Sequence, residues 1–524
     1  MMEKLETDDK APFSGDSEPL INENEIKTQG FKKGIVIIII SFILILIAAS
    51  ILLYFLVFSK DNSSNNEKDS IDPDTSEPDT SDPDTSEPDT SDPDTSEPDT
   101  SDPDIEPDTD YNSITGKYMI YFPTNLTQIF YYSYLDSIRF MKIDGNKVKI
   151  NNTQTFENEG YHVIQIYFKN NLTSLDNLFF QVDTLEEVDF TDLVASEIKS
   201  ASDLFNGCEN LVKVTFNEHY EKITNISYLF TRCSSLENIN ISAFENGVLL
   251  DISGLFYRCS SLQNILFDKF NTNNVINMSY LFYECGSLET IDLTNFNTSN
   301  VIYMSNMFYG CSSLQSINLN SFDTSKVIEM NGMFDGCSSI TNLSLHNFDT
   351  KNVIDMYFMF ADCSQLTNLD IKSFDTAKLE DMFGMFKGCK SLEEIDISHF
   401  ITTNVRDMSD LFGNCTNLKN VNLANLTTDN LEYIIGMFES CKSLESLNMS
   451  NFNAENVVDA RYMLTDCLSL TNIDFSNFHT QNLEEYEGIF NGLPSKGTIK
   501  YNSTKFKEEI VNLLPEAWIK EIIN

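Results

Sequence analysis

Positive charge is scarce in this 524-residue chain: 34 Lys and Arg stand against 80 Asp and Glu, a formal net charge of −46. Residues 111–524 alone hold 52 acidic and 27 basic side chains, a net of −25. So acidic a surface argues against nucleic acid or anionic lipid as a partner. Histidine is rarer still. The five, His162, His219, His346, His399 and His479, fall in no H-E-x-x-H, and the chain has no G-x-S-x-G and no phosphate-cradling glycine loop. No catalytic residue, cofactor or metal site is expected, and the protein does not read as an enzyme. Tryptophan occurs once, as Trp518 near the C-terminus, which suits a cap better than a binding hot spot.

Cysteine is absent before Cys208 and then strictly periodic. Cys208, Cys233, Cys259, Cys285, Cys311, Cys337, Cys363, Cys389, Cys415, Cys441 and Cys467 are separated by one gap of 25 residues and nine of 26. A fixed period of this size means stacked supersecondary units rather than one globular centre. The unit is plainest in VIYMSNMFYGCSSLQSINLNSFDTSK, residues 301–326, followed by its near copies 327–352 and 353–378. Degenerate copies flank the array around Val182 and Leu493, so about twelve and a half repeats are present.

Within residues 301–326, Val301, Met304, Met307, Phe308 and Cys311 follow the spacing of one face of a short helix. Ile317 and Leu319 alternate with Ser316, Asn318 and Asn320 as a strand with one buried face, preceded by Leu314. Phe322 closes the core, and Asp323-Thr324-Ser325 forms a turn and N-cap. The expected fold is an α/β solenoid: a leucine-rich-repeat-like curved stack of strand, turn and short-helix units with a parallel concave sheet, plus one transmembrane helix. With strands about 4.8 Å apart, twelve repeats span on the order of 55–60 Å.

The phrases M-x-x-M-F-x-G-C-S-S-L and F-D-T-S-x-V resemble those of BspA-like leucine-rich-repeat surface proteins, including the 26-residue mycoplasma lipoprotein-type repeat, over roughly residues 160–515. The resemblance implies a surface adhesin like those of bacteria and of mucosal or gut protists, with no catalytic residues. It does not extend to a lipoprotein anchor, because no cysteine precedes Cys208.

From the N-terminus, residues 1–33 read as a disordered cytoplasmic tail. Asp16, Leu20 and Ile21 fit an acidic dileucine sorting motif, or a chance match in an acidic tail. Residues 34–59 read as a transmembrane helix, since 35–58 are a run of 24 without charge. The Lys27, Lys32 and Lys33 side favours the cytoplasm. Residues 60–110 form an acidic low-complexity stalk of PDTSE and PDTSD units; 61–110 hold 20 Asp and Glu and one Lys. As extended polyproline-like chain at about 3.1 Å per residue, the stalk reaches roughly 150 Å. Residues 111–170 are an N-terminal cap, 171–493 the repeats and 494–524 a C-terminal cap. VIQIYF at 163–168 is expected to pair with the first repeat's strand, and 505–524 to form a helix interrupted by Pro515. Thirteen N-x-S/T sequons, among them Asn62, Asn125, Asn171, Asn277, Asn297 and Asn502, permit a glycoprotein.

Two rows are candidate sites. The eleven cysteines form a ladder whose parallel Cβ vectors, about 5 Å apart, suit free buried thiols better than disulfides, which prefer about 3.8 Å. A straight row also does not converge on a metal. On the strand face, Asp292, Asn318, Ser344, Asp370, Asp396, Asn422, Asn448 and Asp474 are short and polar, with Lys372 and Glu394 beside the central pair. This row is either a solvated sheet face or a surface for an extracellular protein or glycan ligand, centred where Asp370 and Asp396 are expected to lie roughly 5 Å apart. The reading is a single-pass plasma-membrane protein whose repeats lie outside the cell, an adhesin. Its rivals are an endocytic or signalling receptor and a passive coat antigen. Protease added to intact cells should remove residues 61–524 and spare a tag at residue 1; a protected C-terminus overturns this topology.

Overall fold

The computed structural model describes residues 112–122 and 125–523. The expected tail, transmembrane helix, stalk and the sorting residues Asp16, Leu20 and Ile21 lie outside these. Among the described residues no helix is long and apolar enough to cross a membrane.

The repeats build a β-solenoid of about twelve turns, and the expected short helix is not there. Residues 305–310 are turns, and the described α-helix is a single turn, Glu508–Val511, in the C-terminal cap. The backbone explains the misreading. Tyr309, Cys311 and Leu314 N–H groups bond locally to the carbonyls three residues back, Asn306, Phe308 and Cys311. Met304, Asn306, Phe308 and Gly310 N–H groups instead bond to Glu329, Asn331, Met333 and Asp335 carbonyls one coil on, at 2.7–3.1 Å. Successive three-residue turns aim every third or fourth residue inward, which reproduces helical spacing without a helix. Left-handed residues stop the turns from propagating into one: Asn306 has φ 55° and Gly310 φ 69°, and their counterparts recur coil after coil.

Bulk at the first left-handed position is matched between coils. Tyr228 is followed by Gly254, and Phe358 by Gly384, at φ 57° and 58°. A Cβ on either glycine would collide with the preceding ring, so the aromatic lies across the next coil only because that coil has no side chain there.

Inside, like stacks on like. Phe179, Phe205, Phe230, Phe256, Phe282, Phe308, Phe334, Phe360, Phe386, Phe412 and Phe438 stack with centroids 5.4–6.0 Å apart. Beside them runs a row that the turn reading of Asp-Thr-Ser missed. Thr324 is fully buried; its hydroxyl donates to the Asp349 carbonyl at 3.0 Å and accepts the Asp349 N–H at 2.8 Å. Thr298, Thr376 and Thr428 repeat this arrangement, a side chain imitating a β-bridge at the corner of the coil.

The strand row is not one continuous sheet. Parallel ladders join Asn342–Ser344 to Asn368–Asp370 and Glu394–Asp396 to Asn420–Asn422, but these are separate two-stranded sheets. The caps also differ from expectation. Ser113–Ile120 lies antiparallel between Gly160–Phe168 and Leu185–Asp189, so residues 163–168 do not meet the first repeat strand. Tyr118 secures this insertion, wholly buried with its hydroxyl donating to the Ile129 carbonyl at 2.9 Å. At the other end Thr498–Asn502 pairs in parallel with Ile519–Ile523, a strand where a helix was expected. Pro515 stops the helix, and Trp518 docks by donating Nε1–H to the Pro494 carbonyl at 2.8 Å.

Thr324→Val keeps the volume but removes both bonds to Asp349. Chemical denaturation should show a loss of about 1–3 kcal/mol. Asp335 offers a second test. Burial, reinforced by the Asp362 carboxylate and opposed by Lys387, pushes its carboxyl up to about 7. The unfolded chain titrates near the ordinary value of about 3.9. Folding therefore favours the proton, and stability falls as pH rises from about 4 to about 7. Asp335→Asn should raise the unfolding temperature by several degrees at pH 8 and hardly at pH 4. An equal gain at both would show the carboxyl to be unperturbed.

A candidate binding cleft on the strand face

The cysteine ladder is structural in its contacts. All eleven thiols are free and buried, and each donates Sγ–H to the carbonyl of the stacked Phe in the preceding coil at 3.0–3.4 Å, as Cys311 does to Phe282. Burial pushes the Cys311, Cys415 and Cys467 thiols up to about 12, which leaves no thiolate for chemistry at neutral pH.

The polar row on the strand face has a local task. The side-chain oxygens of Asp292, Asn318, Asp370, Asp396, Asn422, Asn448 and Asp474 each accept the backbone N–H two residues on, at 2.9–3.4 Å. Ser344 instead meets His346 Nδ1 at 3.0 Å. Short polar side chains are thus required here because they close the turn that ends each strand. The hydroxyl and then the N–H of Ser398 hold the Asp396 carboxyl below its usual range, and Thr294 does the same for Asp292. Leu266 breaks the row: it is 53% exposed and cannot cap, and Lys269 downstream turns left-handed at φ 64°.

Asp370 and Asp396 belong to different strand pairs, and between those pairs the face opens into a cleft of about 500 Å³. Leu369, Ile371, Leu392, Ile395 and Val421 give it apolar walls. Lys372, Glu394, Asp396 and Asn422 bring four of the ten expected face residues to it, joined by His399 and Asn420; Asp292, Asn318, Ser344, Asp370, Asn448 and Asp474 are outside its lining. Lys372 and Glu394 are exposed and have no ion-pair partner among the described residues. His399 was not singled out from sequence. It occupies the repeat position of Asn347, whose amide bonds the carbonyl 28 residues back, and its Nε2 meets the Ile371 carbonyl at 3.1 Å in the same way. Histidine in a column of Asn and Ser was the available signal. An apolar floor with a few convergent polar groups and two free charges can hold a side chain or a small moiety of a larger partner.

Comparisons with known proteins agree with the repeat. The family described as Mycoplasma protein of unknown function, DUF285, matches residues 173–290, 224–340, 314–395 and 384–502. That described as BspA type Leucine rich repeat region (6 copies) matches 111–202. No curated protein matches the chain. Among solved structures it is similar to a TLR13–ssRNA13 complex, at 14% identity, a TM-score of 0.19 and coverage of 67% of this chain and 52% of the other. It is likewise similar to a leucine-rich repeat protein from Eubacterium ventriosum ATCC 27560, at 18% identity, a TM-score of 0.25 and coverage of 59% and 83%. The chain thus spans about half the length of the first of these. With matches that together run from residue 173 to 502, the chain belongs to the family described as Mycoplasma protein of unknown function, DUF285, a BspA-like leucine-rich-repeat protein.

Proposed function

We propose that this is a cell-surface repeat protein, anchored by residues 34–59, that binds an extracellular protein or glycan through the strand-face cleft, and that it acts as an adhesin. The observation that supports this most is the cleft itself. It unites apolar walls with the unpaired Lys372 and Glu394, on a face whose other polar residues are occupied by turns. Opposite charges on the two sides of an apolar floor orient a partner and set its rate of encounter.

The structure changes which residues to mutate. Asp370 and Asp396 close turns, so replacing them confounds folding with binding. Lys372→Ala/Glu394→Ala touches neither turn nor core. In cells displaying the chain, this pair should lower attachment to host-cell monolayers about tenfold and flatten its salt dependence, with the unfolding temperature unchanged. Attachment equal to that of the unaltered chain would remove the cleft from the function and favour a passive coat.

A further inference from the structure

A second groove crosses the coils at a different corner, along the residue that precedes the buried Val or Leu opening each repeat. In successive coils this position reads Asn300, Lys326, Asn352, Lys378, then Asn404, Asn430, Asn456 and Asn482. Every one of these asparagines donates Nδ2–H to a backbone carbonyl 27 residues back, at 2.5–3.2 Å. The side chains are thereby fixed, and the oxygens face away. In the earlier coils those oxygens are closed: Lys326 Nζ donates to Asn300 Oδ1 at 2.6 Å, and Lys378 Nζ to Asn352 Oδ1 at 2.8 Å. From Asn404 onward the lysines stop. The oxygens of Asn404, Asn430, Asn456 and Asn482 have no partner among the described residues. Along these coils two hollows of about 550 and 350 Å³ run together at Asn456 and Val458.

We propose that this groove binds a neutral linear oligosaccharide laid along the solenoid axis, one sugar to a coil. Each oxygen can only accept, and each Nδ2 keeps one N–H after its single backbone bond, so the row calls for a ligand whose groups both donate and accept at the coil spacing of about 4.8 Å. Hydroxyl groups on an extended sugar chain do so. Charge selects among donors. Arg406 is paired with Glu432 through Nε at 3.0 Å, and Lys507 shares the lining with Glu484, so the groove is locally balanced in charge and offers a polyamine no excess of carboxylate. The acidic ectodomain opposes a polyanion. A chain of hydroxyls meets neither objection, and the register that solenoids impose on side chains is suited to a repeating ligand.

The protein supplies its own control. Asn430→Lys/Asn482→Lys restores the earlier alternation and closes Asn404 and Asn456 with a residue that two coils already carry. Purified full-length chain in detergent micelles should bind at least one of four labelled probes, cellotetraose, chitotetraose, maltotetraose or laminaritetraose. The double variant should weaken that binding tenfold or more without lowering the unfolding temperature. Asn404→Ala, which removes one oxygen, should weaken it less and serves if the double variant misfolds. Lys372→Ala/Glu394→Ala should leave it unchanged, which separates this groove from the strand-face cleft. The proposal is overturned if no probe binds, if the asparagine variants bind as well as the unaltered chain, if the cleft variant abolishes binding, or if spermine displaces the sugar at equal concentration.

Discussion

Everything in this molecule depends on the hydrogen bond from one coil to the next. Because Phe308 N–H must find the Met333 carbonyl and Thr324 must find Asp349, a residue one repeat on sits directly over its counterpart. Each side chain must therefore tolerate its own kind as nearest neighbour. Phe does so by stacking, Cys by bonding the Phe carbonyl of the preceding coil, and Thr by bridging to the backbone. Carboxylates do it badly. Asp355 is pushed above its usual range by burial and then by Asp381 and Glu329, the neighbours that the register places on either side of it.

The same constraint bears on where the candidate sites lie. Asparagine and aspartate at the ends of the strands are conspicuous as surface polarity, yet they accept backbone N–H groups and hold the coil's shape. Both candidate sites lie where the repeat departs from itself. The cleft opens between two strand pairs and carries His399 in a column of Asn and Ser. The groove opens where lysine ceases to alternate with asparagine. In a structure made of repetition, the exceptions are the informative residues.

Much of this was legible in the residues alone. The cysteine spacing gave the period, the Ile317 and Leu319 alternation pointed to a strand that the structure confines to Ser316–Ile317, and the period itself implied stacking, because no 26-residue unit can bury its own apolar face. The inward set was also correct: Val301, Met304, Met307, Phe308 and Cys311 are all fully buried.

What one chain segment cannot reveal is how its backbone satisfies its hydrogen bonds. A helix and a train of three-residue turns aim the same residues inward, and only the neighbouring coil, accepting every second N–H, separates them. The Thr324 bridge, the lapse between the strand pairs and the free oxygens of Asn404 to Asn482 are likewise relations between coils. Sequence determined which residues are repeated and which apolar ones turn inward, since their burial follows from apolar spacing, but not the buried threonines. Tertiary structure decided the backbone conformation and the sites, since both depend on contacts made 25 to 28 residues away.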